Sequence, residues 1–286
     1  MLKPKVCVLR SAGTNCDKET AAAFKLAGAA PELVHINSLV SAARTLNDFQ
    51  ILALPGGFSY GDDIASGKIF ANELRFKLAD SLREFIRDGK LIIGICNGFQ
   101  VLVKSGLLPG TRPNRTLAYR NAKCAPSGQI GRYAPLRSPE LKQNTSLIIN
   151  DSGKFEDRWV YLKPGGKCAW TKGLKNIIYL PVAHGEGKFI VRDNKLLSQL
   201  KKNGQVVFQY CDAQGKLSAY PDNPNGSIEN IAGITDQTGR ILGLMPHPER
   251  HLFSAQHPRN WNLKSKKEGD GLQIFRNGVK YVRDNL

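Results

Sequence analysis

GICNGFQ (94–100) stands directly after the apolar run LII and leads into a helical pattern, with Gly94 and Gly98 two positions to either side of Cys96. A free cysteine is most often one more small buried hydrophobe, and glycines also flank a cysteine where a strand packs tightly on a helix. The other reading is the strand–turn–helix layout of a nucleophile elbow. There the turn strains the nucleophile's backbone and demands small neighbours. Its side chain rises above the sheet edge at a helix N-terminus, where the dipole and unpaired N–H groups favour a thiolate. The amide of Asn97, next in the chain, is then placed to bind a developing oxyanion.

An active thiolate needs a base, and the base needs an acceptor that orients it. Of the five histidines, His35 falls in an expected core strand, and His251 and His257 follow a hairpin. His184 in AHGEG and His247 in MPHPER are the candidates. His247 comes immediately after a strand, and Glu249 falls on the same face of an extended chain. Its carboxylate can hold the imidazole tautomer that accepts the thiol proton. A polar turn closing the strand would read the same way. HPERH also offers a metal two histidines four apart, but Pro248 spoils the helix such a pair needs, so no metal is expected. PGGFSYGD ends a strand in two glycines, whose amides can approach a ligand closely. It lacks the spacing and the Lys-Ser/Thr ending of a phosphate loop, and no other stretch offers an ATP site.

The elements that must position these residues alternate in type. KVCVLR, PELVHI, QILALP and LIIGIC read as short apolar strands. Between them come a helix over DKETAAAFKLAGA, with Asp17 as its expected cap, and one long amphipathic helix over KIFANELRFKLADSLREFIRDG, stopped by Gly89. GFQVLVKSG follows Cys96 as a further helix. Short strands alternating with helices imply an α/β fold, an open, mostly parallel sheet with helices on both faces. After a Pro/Gly/Arg-rich stretch from Pro109 to about Pro139, SLIIN, RWVYL, NIIYLPVA, KFIV and QVVFQY read as antiparallel additions in the C-terminal half. IAGITDQTGRILGLMP reads as a hairpin, and GDGLQIFRNGVKYVRDNL as a closing helix capped by Asp270. No linker separates two domains, so residues 1–286 are expected to form one domain with a basic insertion at about 121–146.

The 286 residues suffice for one sizeable core. Six cysteines (7, 16, 96, 124, 168, 211) form no CxxC pair and are expected as free thiols in a reducing compartment. No apolar stretch approaches the ~20 residues that span a bilayer, and VCVL near the start is too short for a signal peptide's apolar region. A soluble, cytoplasmic protein is the expectation. The net charge of +17 is uneven: Lys+Arg against Asp+Glu is 12 to 10 over residues 1–100, 8 to 1 over 101–150 and 21 to 13 over 151–286. Neither a basic amphipathic helix nor an RNP-like motif points to nucleic acid; a solvated or partner-facing surface is expected.

PGGFSYGD, GICNGFQ, PVAHGEGKF and MPHPER, in this order, resemble the class I, triad-type glutamine amidotransferases, whose fold is flavodoxin-like. With RSAGTNCD and NPNGSIENIAGI added, the pattern is similar, from residue 5 to about residue 283, to the glutaminase subunits of phosphoribosylformylglycinamidine synthases of de novo purine biosynthesis. Carried over position by position, the resemblance implies Cys96 as nucleophile, His247 as general base and acid, and Glu249 as the residue orienting His247. It implies backbone oxyanion donors at Gly57 and Asn97, and a glutamine pocket made with Gln100, His184, Gly185 and Glu186. Ammonia would pass to a synthetase subunit that binds ATP, Mg²⁺ and formylglycinamide ribonucleotide, so no cofactor is expected in this chain. A small third subunit accompanies the pair in many bacteria.

Two features depart from the compact bacterial form: extra length from about Asn121 to Ser146, and NDSGKFEDRW, which resembles the glutaminase domain of large fused synthases. A peptidase or γ-glutamyl hydrolase on the same sheet would leave PGGFSYGD and AHGEG unexplained. A non-catalytic basic binding module would have no use for Cys96, His247 and Glu249 together.

Overall fold

The computed structural model describes residues 3–62, 65–110, 144–259 and 268–286. Runs of Val, Ile and Leu form β1 (Lys5–Arg10), β3 (Ile51–Leu54) and β4 (Leu91–Ile95), covered on both faces, while β2 (Ala30–His35) lies at the sheet edge and is more exposed. The C-terminal half adds β6 (Glu156–Pro164), β7 (Ile178–His184), β9 (Val206–Cys211), β10 (Ile231–Thr235) and β11 (Ile241–Leu244). Together they make a nine-stranded sheet in the order β2-β1-β3-β4-β11-β10-β9-β6-β7. Its first five strands are parallel and the pairings from β11 to β7 are antiparallel. β5 (Thr145–Ile148) and β8 (Lys188–Val191) form a separate antiparallel pair. The α/β class, the parallel half and the antiparallel additions are as the sequence led us to expect.

The helices are α1 (Asp17–Leu26), α2 (Ile36–Val40), α3 (Lys68–Lys77), α4 (Ala79–Arg87), α5 (Asn97–Lys104), α6 (Asn194–Lys202) and α7 (Leu272–Asn285). The long helix expected after PGGFSYGD is in fact two, α3 and α4, broken at Leu78 (φ −118°, ψ 13°). The buried stripe Phe70, Leu74, Leu78, Leu82, Phe85 runs unbroken across the join, which is why the periodicity does not reveal it. Asp17 is the first residue of α1, not its cap. It pairs with Arg10 at 3.2 Å and complements the helix dipole from the first turn. Asp270 likewise caps nothing: it accepts from Lys175 Nζ at 2.8 Å and from the Tyr179 amide at 3.1 Å, tying the C-terminal segment to β7. His35 is no core residue; it is half-buried and its Nδ1 accepts from the Asn37 amide at 3.2 Å, capping α2. α6 was not foreseen, although Asp193 caps it by accepting from the Leu196 amide at 2.8 Å and Leu196, Leu197 and Leu200 bury one face.

The described cysteines are free thiols; Cys124 and most of the expected insertion lie outside the described residues. Among the described residues no helix is long and apolar enough to cross a membrane.

Candidate active site

β3, β4 and β11 are parallel neighbours, and β7 points the same way after four antiparallel steps. Their C-terminal ends therefore open on one side of the sheet, where open α/β sheets hold their ligands. A cavity of about 270 Å³ lies there. Cys96, Gly57, Gln100, His184, Gly185, Glu186 and His247 all line it.

Cys96 joins β4 to α5 at φ 51°, ψ −108°, a conformation that side-chain-bearing residues rarely adopt. Such strain costs about 1–3 kcal/mol and persists where the surroundings impose it. Here they do. The Cys96 amide donates to Leu244 O at 2.8 Å, and its carbonyl accepts from Phe99 and Gln100 at 2.9 and 3.1 Å. At Gly98 a Cβ would stand 1.9 Å from Leu54 O, so the turn closes on β3 only if that residue has no side chain. Asn97 opens α5, with its amide among the first N–H groups that an α-helix leaves without an intrahelical partner.

His247 follows β11, its amide held by Pro181 O at 2.8 Å. Its Nδ1 lies 2.6 Å from Glu249 Oε1, with both residues 2% exposed. The chain between them is a tight turn over Pro248–Arg250 instead of the extended run expected. With the Nδ1 proton donated to Glu249, Nε2 is the nitrogen free to accept one. Burial works against a charged imidazole here, but the Glu249 carboxylate, followed by the Cys96 sulfur, outweighs it and raises His247 well above the ordinary imidazole range. Gly56 makes this proximity possible. A Cβ there would meet His247 Cε1 at 2.8 Å, Cys16 Sγ at 3.2 Å and Cys96 Cβ at 3.4 Å.

The side chain of Asn97 turns inward. Its oxygen accepts from Ser59 Oγ at 2.5 Å, and its nitrogen donates to Asp62 Oδ1 at 3.1 Å and Gln100 Oε1 at 2.9 Å. Gln100 in turn donates to Glu186 O at 2.6 Å, so both ends of its amide are engaged inside the protein. Burial raises the Asp62 carboxyl, partly offset by hydrogen bonds from Gly67 and Asn97. His184 is buried and pushed down to about 3, by desolvation first and His247 second, so it stands neutral. Its Nδ1 donates to Asn150 Oδ1, 3.2 Å away. Asn150 clamps the whole AHGEG loop: its Nδ2 donates to His184 O at 2.7 Å, its Oδ1 accepts from Gly187 N at 2.9 Å, and its amide donates to Gly185 O at 2.9 Å.

Asn15, Cys16, Phe155, Asp157 and Arg250 also line the cavity and were not foreseen. RSAGTNCD carried the signal for the first two: it follows β1, the parallel neighbour of β3, so it must emerge at the same edge. Phe155 and Asp157 belong to β6 and its approach, and only the antiparallel order of β6 and β7 places them here. The HPERH pair does not assemble; His251 instead turns its Nδ1 to Tyr179 O at 2.7 Å.

The family model for the CobB/CobQ-like glutamine amidotransferase domain matches residues 3–282. A phosphoribosylformylglycinamidine synthase subunit PurQ of Dehalococcoides mccartyi is 46% identical over 287 residues, covering 99% of each chain. One of Methanococcus maripaludis is 44% identical over 292 residues, covering 97% of each. Both are separate subunits matched over almost their full length, so the extra length is shared with them and is not peculiar to this chain. Among solved structures, a chain of PurLQS from Thermotoga maritima is similar with a TM-score of 0.68 and 29% identity, over 98% of this chain and 99% of that one.

Proposed function

The chain belongs to the family of phosphoribosylformylglycinamidine synthase subunits PurQ, glutamine amidotransferases of α/β fold, and from that premise we propose the route by which its cavity makes ammonia. Glutamine enters with its side-chain amide toward Cys96. His247 Nε2 takes the thiol proton and the sulfur attacks the amide carbon. The amide oxygen gathers negative charge, met by the backbone N–H groups of Gly57 and Asn97; losing one such donor typically costs about 10²–10³ in rate. His247 returns its proton to the nitrogen, the C–N bond breaks, and ammonia leaves a γ-glutamyl thioester on Cys96. Water, giving a proton to His247, attacks that thioester. Glutamate departs and the thiol is restored. Glu249 holds Nδ1–H throughout, so the imidazole presents the correct nitrogen in both halves. Gln100, His184, Gly185 and Glu186 form the walls that seat the substrate.

The observation carrying this reading is the arrangement of three side chains. A cysteine at φ 51° on a helix N-terminus shares a cavity with an imidazole whose other nitrogen is 2.6 Å from a buried carboxylate. The same proposal sends the ammonia to a synthetase subunit that binds ATP, Mg²⁺ and formylglycinamide ribonucleotide, leaving this chain without a cofactor of its own. Similarity to a chain of PurLQS favours a small third subunit in the assembly. The proposal also includes a single domain over residues 1–286, a cytoplasmic location, and docking of the basic stretch at 121–146 on an acidic face of the synthetase. Association insensitive to salt and to Arg→Glu changes in that stretch would remove the docking element.

The test is alkylation by 6-diazo-5-oxo-norleucine, with and without the synthetase subunit, mapped by mass spectrometry. Labelling at Cys96 that strengthens with the partner and disappears in Cys96→Ala is the expected result. A folded, partner-bound chain that takes no label would overturn the catalytic assignment.

A further inference from the structure

We infer that Asn225, in the NPNGS turn, is a positioning residue of the glutaminase site. With Asn150 it pins His184 in its Nδ1–H form and, through that ring, sets the AHGEG wall against which glutamine lies; the kinetic part rests on the glutaminase reading. The ring is gripped from three sides. A Cβ on Gly187 would stand 2.3 Å from its Cε1, 2.4 Å from Nδ1 and 2.7 Å from Nε2, so the imidazole lies directly on that glycine. Its Nδ1 meets Asn150 Oδ1 at 3.2 Å, and its Nε2 faces Asn225 Nδ2 at 3.5 Å.

Neither asparagine can turn its amide round. Asn150 Oδ1 also accepts from the Gly187 amide at 2.9 Å, while its Nδ2 faces two carbonyls. Asn225 is fully buried. Its Oδ1 accepts from the Ser227 amide at 3.1 Å and hydroxyl at 2.7 Å, and its Nδ2 donates to Gly187 O at 2.9 Å and to the Tyr210 hydroxyl at 3.2 Å. His184 therefore meets an acceptor at Nδ1 and a donor at Nε2, which suits the neutral Nδ1–H imidazole and no other form. A proton on Nε2 would point at an N–H. Burial and the neighbouring His247 oppose that proton as well.

The grip reaches the substrate through the wall. His184, Gly185 and Glu186 line the cavity with Cys96, whereas Asn225 stands behind them. It joins the ring to the Gly187 carbonyl, and so fixes the far end of the loop whose near end Asn150 holds. Gly226 keeps the two asparagines in register. A Cβ there would lie 1.8 Å from Asp151 Oδ2, and the Asp151 amide donates to Asn225 O at 3.3 Å, so the NPNGS turn is seated on the turn that starts at Asn150. Of the two imidazoles lining the cavity, the pin leaves His247 as the one that exchanges a proton, and gives His184 the work of shape. The NPNGS motif, which the glutaminase route leaves without a task, is thereby accounted for.

The experiment labels the histidines of the full chain with ¹⁵N and follows the His184 ring nitrogens by NMR, while glutamine hydrolysis is measured in the complex with the synthetase subunit. Wild type should show a proton on Nδ1 and a bare Nε2 from about pH 8 to about pH 5. Asn225→Asp keeps the shape but turns an oxygen toward Nε2. The ring should then carry both protons at about pH 7, and the KM for glutamine should rise at least about tenfold with kcat changed less than about threefold. Circular dichroism and partner binding check the fold. If Asn225→Asp does not fold, Asn225→Ala takes its place: the Nε2 resonance should move as its donor is lost, with the same rise in KM. A wild-type ring protonated on Nε2, or one that gains its second proton near the ordinary 6.5, would overturn the pin. A wild-type KM in a variant whose ring has changed would overturn the link to the wall. The expected spectra in a wild-type complex that hydrolyses no glutamine would uphold the pin and defeat the glutaminase reading.

Discussion

Gln100 Nε2 donates to the backbone carbonyl of Glu186 at 2.6 Å, joining residues 86 positions apart. The bond ties α5, the helix that begins at the nucleophile, to the AHGEG loop that forms the facing wall of the cavity. The other end of the same amide accepts from Asn97, so Gln100 holds two walls of the cavity together. In Gln100→Leu both bonds go and their partners are left unpaired, at about 1–3 kcal/mol each. The KM for glutamine should rise about 5- to 30-fold, with kcat changed much less. A fall in kcat at constant KM, measured in the assembled complex, would show that Gln100 acts on the reaction step instead.

Glu249→Gln keeps the shape beside His247 but offers the imidazole an amide in place of a charge. Nδ1–H is no longer fixed toward position 249, and the wrong tautomer turns a proton toward the thiol. In an analogous serine triad the same loss of charge costs about 10⁴ in kcat. A decrease of at least about 10³ is expected here, with glutamine KM within a few-fold of wild type. Steady-state kinetics and the rate of alkylation at Cys96 should fall together; unchanged alkylation would detach Glu249 from activation of the thiol.

Asn150 is the clamp of the AHGEG loop, and its two side-chain atoms are not interchangeable. Nδ2 faces the carbonyls of His184 and Lys154 at 2.7 and 2.9 Å, while Oδ1 receives the Gly187 amide at 2.9 Å. Asn150→Asp points an oxygen at both carbonyls and should cost at least about 1–3 kcal/mol. At roughly 2–4 °C of Tm for each kcal/mol in a chain of this size, calorimetry should read a loss of several degrees. An unchanged Tm would mean the loop is held elsewhere.

What the sequence makes legible is the set of residues whose role is local. The elbow at Cys96 needs only that one strand, one turn and one helix follow each other, and Gly98 reports the close approach to β3 before any fold is known. His247 and Glu249 are two residues apart, so their pairing is local as well. Cys16, Phe155 and Asp157 are different. They join the cavity through strand order, and no local pattern states that β6 lies beside β7 or that the loop after β1 closes over the end of β3. The break between α3 and α4 escaped for the opposite reason, since an unbroken apolar stripe covers it.

Stability in acid should depend on His184. Its imidazole falls from an ordinary 6.5 to about 3 in the folded chain, from burial first and the neighbouring His247 second. Between those two values the unfolded chain holds a proton that the native chain does not, so lowering the pH favours unfolding by up to about 1.4 kcal/mol per pH unit. The contribution is fully present above pH 6.5 and is lost on the way down toward 3. His247, raised instead of lowered, changes its contribution above 6.5 and adds no slope in that window. Asp62, whose carboxyl is raised, slopes the opposite way but is common to wild type and variant and cancels in the comparison. His184→Gln removes the titrating ring from its place between Asn150 and His247. Whatever it costs at pH 7.5, it should flatten the decline in unfolding free energy between pH 6.5 and 4.5, measured by urea titration at each pH. Parallel declines in variant and wild type would mean that His184 accepts its proton without leaving the native state.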